Sequence, residues 1–339
     1  MIPNANNIIA RFKVFQAQVR EVVRRSHTQS TVNAAVSHTS SADTIYQIDT
    51  EVEPLLIAFC EDFARETPLV LVAEGLRDES GNEVLERVFP AGLPPERAPL
   101  RLIVDPIDGT RGIMYDKRPA WTLAGLAPNK GPATRLRDIE IAVMSELPTS
   151  KMGAADLLWA TKGGGAHGER INLHTGQSSP LKIAPSRADT INHGFATVSN
   201  FFPGTKILAA ELMEQIALAV VGKIDVTRAT VFDDQYISTG GQFYELLAGH
   251  DRFIADLRPA FYALQNQPEG LCCHPYDCAT MLIAEEAGIL LTDAHGNPLD
   301  GPLDTTTGIS WIAYANETLR QKIAPVIAQF FALKSAKRA

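Results

Sequence analysis

Apolar residues near the start of the chain recur at intervals of three and four, which predicts an amphipathic helix. Its apolar face is formed by Ile8, Phe12, Phe15, Val19 and Val22. A second helix is predicted in VEPLLIAFCEDF, with Pro54 in the first turn, where proline is tolerated. The shared face of this helix consists of Val52, Leu55, Leu56, Phe59 and Phe63. The first part of the chain is therefore expected to be helical.

Short apolar runs typical of buried strands follow these helices. PLVLVAE ends in Glu74 and RLIVD ends in Asp105, and AWTLAGLAP and IEIAVMSELP are further candidate strands. DLLWATKGGGAHGERINL predicts a hairpin. Its glycines, Gly163 to Gly165, lack the Lys-Ser/Thr ending of a phosphate-binding P-loop, and no helical pattern follows them. A hairpin turn is the favoured interpretation.

Helices and strands alternate in the second half. LAAELMEQIALAVVG predicts a helix that ends at Gly222, and YDCATMLIAEEAG predicts another, with Gly288 at the usual capping position. ILLTD is typical of a strand. This alternation predicts a layered α/β architecture. We expect one unit of two subdomains, an α+β part at 1–185 that carries a metal site and an α/β part at 186–339 that completes it.

Composition narrows the possible functions. The 339 residues are 45% hydrophobic, enough for a large core, and the formal net charge is −8. This acidic composition does not indicate the basic surface that typically binds a nucleic acid polymer. No apolar run approaches the roughly 20 residues that span a membrane, and the N-terminus lacks the pattern of a secretory signal. A cytoplasmic protein is expected, in which an anionic substrate needs a local cation.

Three of the four cysteines cluster in CCHPYDC, beside His274. Structural zinc usually takes cysteine pairs from two separated places, and here there is one cluster. Reduced, mostly buried thiols are therefore favoured over a zinc site.

Carboxylates stand where apolar elements begin or end. Glu74 and Asp105 each end a strand-like run, Asp108 follows three residues after Asp105, and Asp49 and Asp277 each precede a predicted helix. Singly, each has a simple structural interpretation: Asp49 and Asp277 as helix N-caps, Asp108 as a turn residue, and Glu74 as a solvated strand end.

Together these acids favour a different interpretation. Mg²⁺ takes oxygen ligands, usually carboxylates, water and a substrate phosphate. In DPIDGT, a turn of three residues can bring the carboxylate of Asp108 to the same point as that of Asp105, and the backbone carbonyl of Ile107 offers a further oxygen. Gly109 and Thr110 could then present backbone N–H groups to an anion. One stretch would supply both metal ligands and a phosphate-binding position.

At this point the sequence resembles a known family. LRLIVDPIDGT resembles the signature of the inositol monophosphatase superfamily, which includes inositol monophosphatases, fructose bisphosphatases and bisphosphate nucleotidases. PYDCATMLIAEEAGILLTDAHGNPL resembles the second signature of that family. SADTIYQIDTEVEPLL, VLVAEG and WATKGGGAHGERINL resemble further family segments, and all five occur in the family's order between residues 8 and 315.

This resemblance implies a five-layer α/β/α/β/α fold and Mg²⁺-dependent hydrolysis of a small phosphate monoester. It implies two or three Mg²⁺ ions, which Mn²⁺ can replace. Carried over by position, Glu74, Asp105 and the Ile107 carbonyl would hold the first ion. Asp105, Asp108 and Asp277 would hold the second.

The resemblance also assigns the other site residues. Asp49 and Thr110 would orient and deprotonate the attacking water, so that Asp49, Glu74 and Thr110 form the catalytic set. Gly109 and Thr110 would bind phosphate oxygens through N–H groups. A homodimer is a further implication of the family.

Departures from the family pattern bear on the substrate. The family's second Glu after the second strand is Gly75 here, its tryptophan before the last ligand is Tyr276, and the segment at 249–275 is longer. Arg111 has two interpretations: a side chain in solvent or paired with Asp116, or a group that reaches a second anion on the substrate.

Inositol or sugar monophosphate is the leading substrate class. Bisphosphate nucleotidase or fructose-bisphosphatase activity is the alternative, and a non-catalytic metal- or phosphate-binding relative is a third hypothesis.

Overall fold

The computed structural model describes residues 1–28, 36–39, 44–78 and 81–336, in which helices and strands alternate. The helices are α1 (Ala5–Thr28), α2 (Gln47–Ala64), α3 (Thr110–Met114), α4 (Lys206–Val221), α5 (Thr239–Leu247), α6 (Arg258–Leu264), α7 (Met281–Glu286) and α8 (Glu317–Ala336). The strands are β1 (Val36–Thr39), β2 (Thr44–Tyr46), β3 (Leu69–Ala73), β4 (Arg87–Phe89), β5 (Leu100–Asp108), β6 (Ala120–Pro128), β7 (Ile141–Leu147), β8 (Ala154–Thr161), β9 (Ala166–Asn172), β10 (Ser178–Pro180), β11 (Gly194–Val198), β12 (Val231–Phe232), β13 (Asp251–Asp256), β14 (Leu290–Thr292) and β15 (Trp311–Tyr314).

Two large sheets organise these elements. The first has eight strands in the order β10-β9-β8-β7-β6-β5-β3-β4, and its neighbouring strands are antiparallel except for the parallel pair β3 and β5. The second has five strands in the order β12-β11-β13-β15-β14. The strands β1 and β2 form a separate antiparallel ribbon. The two large sheets therefore come from successive parts of the chain.

Helices cover both sheets and separate them. Helices α1 and α2 pack on the eight-stranded sheet, α5 and α7 contact both sheets, and α4 and α8 pack on the five-stranded sheet. The layers are thus α/β/α/β/α, which confirms the fold class that the resemblance implied. Alternate side chains of β5 pack into two different hydrophobic cores. Leu102 and Val104 face α1 and α2, and Ile103 faces the layer between the sheets. Burial on both faces explains why this strand is a continuous apolar run.

The N-terminal helices follow the predicted pattern with two corrections. Phe12, Phe15 and Val19 of α1 are fully buried as expected, but the last core position is Val23 instead of Val22. Pro54 lies in the interior of α2 and not in its first turn, because the helix begins at Gln47, seven residues before the proline. The missing N–H of Pro54 leaves a carbonyl one turn earlier without its helical donor.

The glycine-rich hairpin is confirmed between β8 and β9. The N–H groups of Gly163 and Gly165 donate to the Glu286 carboxylate at 2.7 and 2.8 Å. This turn therefore holds a carboxylate of α7 and links that helix to the first sheet.

The helix predicted in YDCATMLIAEEAG is shorter than expected. Residues 275–280 form successive turns, and α7 begins only at Met281. Gly288 follows it with φ of +89°, in the expected left-handed capping conformation. In the described part of the chain, no helix has the length and apolar character needed to cross a membrane.

Candidate active site

A bulge in β5 brings Asp105 and Asp108 to the same face of the sheet. Asp105 pairs with Leu123 of β6 and Asp108 with Trp121, so that three steps along β5 match two along β6. Residues three apart in a regular strand point to opposite faces, and one extra residue restores the same face. The strand does not end at Asp105, as the sequence suggested, but continues to Asp108. The two carboxylates therefore meet because of the bulge and not because of a turn.

Parallel pairing places Glu74 beside this pair. Ala73 of β3 is in register with Val104 of β5, so Glu74, the next residue, stands next to Asp105 at the same edge. Glu74 is half-buried. It directly follows the last residue of β3, at the strand end where the sequence placed it.

Asp277 reaches the same place from the second half of the chain. It lies in the turns before α7 and is not the N-cap of that helix, which is Thr280. Its carboxylate accepts the His274 N–H at 2.6 Å. The turns approach the first sheet closely at Gly125 of β6, where a Cβ atom would lie 2.5 Å from the Ala279 carbonyl oxygen. Only glycine leaves room for this approach.

Three of the predicted ligands form one compact group. One carboxylate oxygen from each of Asp105, Asp108 and Asp277 lies within 4.8 Å of the others. Burial, and then the charges of Asp108, Asp277 and Glu74, raise the pKa of Asp105 well above its usual range. Burial and the charge of Asp108 do the same to the pKa of Asp277. Each acid thus makes the charged form of its neighbours less favourable.

Among the described residues, three hydrogen-bond donors hold the carboxylate of Asp108 in place. Its carboxylate accepts the Gly240 N–H at 2.5 Å, the Ser238 hydroxyl at 2.9 Å and the Thr239 N–H at 3.3 Å. These donors form the start of α5, where unpaired N–H groups favour a negative charge. Burial still raises the pKa of Asp108 to about 6, although the three donors oppose the shift. The start of α5 therefore holds in place the carboxylate of a β5 residue.

The donor set fits a hard divalent cation. All three groups are carboxylates, and their mutual repulsion in a largely buried site is what a cation would relieve. The group lies at the wall of a pocket that is open to solvent.

The residues after Asp108 line the same pocket. Gly109 precedes the short helix α3, and the Thr110 hydroxyl donates to the Ile107 carbonyl oxygen at 2.7 Å. Three of the predicted residues, Ile107, Gly109 and Thr110, are thus brought to the carboxylate group.

Arg111 and Asp49 complete the predicted set. Arg111 lines the pocket, and its guanidinium carbon lies 5.4 Å from the centroid of the Phe202 ring. The carboxylate of Asp116 accepts from the backbone N–H and the hydroxyl of Ser150. Asp49 lies in the first turn of α2, after the helix start and not before it, and its side chain falls outside the described residues.

Sequence reasoning missed the residues that support and line the site. Ser238 caps α5 and binds Asp108, and a Ser before two glycines and an amphipathic run is a recognisable cap signal. Arg258, Phe201 and Phe202 line the pocket, and no local pattern pointed to them.

The sequence matches no family model and no curated protein, whereas the fold matches solved structures over nearly the whole chain. A fructose-1,6-bisphosphatase from Leishmania major is 14% identical with a TM-score of 0.69, and the match covers 97% of this chain and 95% of that one. The suppressor protein SuhB from Bartonella henselae is 17% identical with a TM-score of 0.62, covering 95% and 98%. An inositol monophosphatase–fructose 1,6-bisphosphatase is 16% identical with a TM-score of 0.62, covering 94% and 98%.

The chain therefore shares the fold of these solved structures, which is the fold that the resemblance of its motifs implied. At these identities the likeness establishes architecture, and function is argued from the site.

Proposed function

We propose that this protein is a metal-dependent phosphatase that hydrolyses a small phosphate monoester. The observation that carries the proposal is the carboxylate group itself: a strand bulge aligns Asp105 with Asp108, and Asp277 joins them from the other half of the chain. Two of the similar folds belong to proteins described as phosphatases, which supports the same reading.

Bound Mg²⁺ or Mn²⁺, two or three ions in all, would acidify a water molecule and neutralise phosphate charge. Asp105, Asp108 and Asp277 would hold these ions, with Glu74 and the Ile107 carbonyl as further oxygen ligands. The Asp108 carboxylate is kept in place by the start of α5, so that it does not have to be ordered when the ion binds. Such preorganisation favours both affinity and the correct geometry.

The chain's own groups would position the reactants. Gly109 and Thr110 stand beside the carboxylate group and would bind phosphate oxygens through backbone N–H groups. Thr110, together with Asp49, would orient the attacking water and take its proton. Arg111 would contact the part of the substrate that lies away from the reacting phosphate. Inositol or sugar phosphates are the leading substrates.

Phosphate release from a panel of inositol, sugar and nucleoside phosphates tests this function. We expect release with Mg²⁺ or Mn²⁺ and none after treatment with EDTA, because phosphate monoesters hydrolyse extremely slowly without catalysis. Asp105→Asn should lower turnover by at least about 100-fold through loss of a metal ligand. Asp62→Asn, which removes an exposed carboxylate on α2, is the matched control and should leave turnover unchanged.

Full activity in metal-free buffer would refute the mechanism. Binding of Mn²⁺ without hydrolysis of any ester would instead indicate the non-catalytic relative considered from the sequence.

A further inference from the structure

The charged residues that line the pocket are of two kinds. Among those that the structure describes, five are acids and two are arginines, Arg111 and Arg258. The acids are Glu53, Glu74, Asp105, Asp108 and Asp277. A cation bound to the aspartates would serve one phosphate. Any second anionic group of a ligand would have to be met by the arginines, since the remaining charged lining residues repel it.

Arg258 is held rigidly from behind by Asp256. Its Nε donates to the two carboxylate oxygens at 2.8 and 3.1 Å, and Nη2 donates to Oδ2 at 2.5 Å. Asp256 is fully buried and does not line the pocket, and Arg258 itself is only 5% exposed. Burial alone would lower the pKa of Arg258, but the facing carboxylate more than offsets it and the pKa is raised. The guanidinium is therefore a permanently charged and fixed group.

This guanidinium retains hydrogen-bonding capacity. Of its five N–H groups, Asp256 takes those on the Nε edge, and the Leu271 carbonyl takes one on Nη1 at 3.1 Å. Within the described part of the chain, no further acceptor bonds to Arg258, which leaves one N–H on each terminal nitrogen. Each of these two N–H groups can donate to an oxygen of a phosphate or a carboxylate.

Two aromatic rings lie beside the arginines, Phe201 near Arg258 and Phe202 near both. The guanidinium carbon of Arg258 lies 5.0 Å from the Phe201 ring centroid and 5.4 Å from that of Phe202. Arg111 lies 5.4 Å from the same Phe202 ring, so both arginines are within cation–π distance of this ring. The rings contact each other at 5.8 Å in an edge-to-face arrangement. Phe202 thus links Arg111 and Arg258 into one wall of the pocket, called here the arginine wall.

We infer that Arg258, held by Asp256 and packed on Phe201 and Phe202, binds a second anionic group of the substrate. The inference rests on the proposed phosphatase function and narrows it: the preferred ester carries a second phosphate or carboxylate besides the phosphate that is hydrolysed. Arg258 is a specificity-determining residue, and Asp256 is its positioning residue.

The kinetic test compares two phosphate esters of the same sugar that differ only in a second phosphate group. Replacing Arg258 alone would leave Asp256 as a buried unpaired charge, so the main variant is the double change Asp256→Asn/Arg258→Gln, which keeps a neutral hydrogen-bonded pair. We expect its KM for the bisphosphate to rise at least about tenfold, equivalent to about 1.4 kcal/mol. The KM for the monophosphate and both kcat values should stay within about twofold. The surface change Arg320→Gln on α8 is the matched control.

A binding test does not depend on turnover. In EDTA the carboxylate group repels anions, so stabilisation of the wild-type protein by inorganic phosphate in a thermal melt reports on the arginine wall. The double variant should lose this stabilisation, and Arg320→Gln should retain it. Stabilisation that is equal in wild type and double variant, or absent from both, would overturn the inference.

The remaining outcomes distinguish a failure of the anion role of Arg258 from a failure of the proposed phosphatase function. Equal effects of the double variant on both esters, or no effect on either, would refute the anion role of Arg258 and leave the phosphatase standing. No hydrolysis of any ester by the wild type would refute the proposed function, while the phosphate melt still tests the anion site. If the double variant does not fold, Arg258→Lys takes its place. It keeps a cation opposite Asp256 but loses the planar fork, and an unchanged bisphosphate KM would overturn the inference.

Discussion

Removing one carboxylate from the aspartate group should have opposite effects on stability with and without metal. In Asp105→Asn a neutral amide replaces an acid that faces Asp108 and Asp277. The amide oxygen can still accept the Ile107 N–H, which Asp105 accepts at 2.9 Å, so local backbone support survives. What changes is the charge.

The size of the effect follows from the distance between the acids. Two unit charges separated by 4.8 Å repel by about 3.5 kcal/mol at an effective dielectric constant of about 20. This repulsion is reduced because the carboxyls, whose pKa values are raised, take up protons and because solvent in the pocket screens their charges. We therefore expect a net stabilisation of about 1–2 kcal/mol in EDTA at pH 8, or a Tm higher by about 3 °C. With Mg²⁺ at about 100 times its Kd, the wild type should gain about 2.7 kcal/mol and the variant little.

Thermal melts of wild type, Asp105→Asn and Asp62→Asn, each in EDTA and in excess Mg²⁺, measure both effects. The variant should melt above the wild type in EDTA and below it in Mg²⁺, and the Asp62 control should follow the wild type in both. A variant that melts lower in EDTA, or that responds to Mg²⁺ as the wild type does, would refute this account of the site.

Three further predictions test the surroundings of the site. Gly240→Ala would place a Cβ atom 2.5 Å from Leu123 Cδ2 and 3.0 Å from the Asp108 carboxylate, so Mn²⁺ affinity should fall at least about tenfold and stability by about 1–3 kcal/mol. Ser238→Ala should cost about 1–2 kcal/mol in denaturant unfolding, because the hydroxyl both caps α5 and binds Asp108, and Ser238→Thr should restore most of it. Glu146 has its pKa raised by burial to about 7, so its folded state retains a proton that the unfolded chain releases near pH 4.5. Stability should therefore fall as pH rises between these values, by up to about 3 kcal/mol, and Glu146→Gln should remove this part of the slope.

Each of these three predictions has a control variant or a result that would contradict it. Gly153→Ala meets nothing closer than 3.5 Å, on a His174 side chain, and should be neutral. An equal loss of stability in Ser238→Thr and Ser238→Ala would show that the Ser238 hydroxyl is not the source of the stabilisation. An unchanged slope of stability between pH 5 and pH 7 in Glu146→Gln would show that this carboxyl is ionised throughout.

Local pattern was sufficient to predict the two strands that lead to Glu74 and Asp105. The apolar runs that end in Glu74 and Asp105 are β3 and β5, because buried strands need continuous apolar sequence whatever they pair with. Helix boundaries were less well predicted. Helix α2 begins before its proline and α7 begins after Asp277, since packing against the sheets decides where a helix starts as much as propensity does.

The bulge between Asp105 and Asp108 shows why geometry at the site was only partly predictable. The sequence contained both acids and the proline between them, and it suggested that they meet. It did not contain the register of β6, and that register decides whether residues three apart share a face. The extra residue is visible only when Leu123 and Trp121 are seen opposite the two acids.

Long-range contacts decide the rest of the pocket. Asp108 depends on donors 130 to 132 residues later in the chain, at the start of α5. Arg258 meets Phe201 and Phe202 across more than fifty residues, where β13 leads into α6 beside the loop that follows β11. An arginine at the start of a short helix has no special meaning in a sequence, and the inferred role of Arg258 in binding an anion depends on the buried aspartate that fixes it in the wall of a pocket lined mainly by acids. Under the proposed function, most metal ligands come from the first sheet and the inferred second anion site comes from Arg258 in the second half of the chain. Mutations at these two sets of residues should therefore separate kcat from KM.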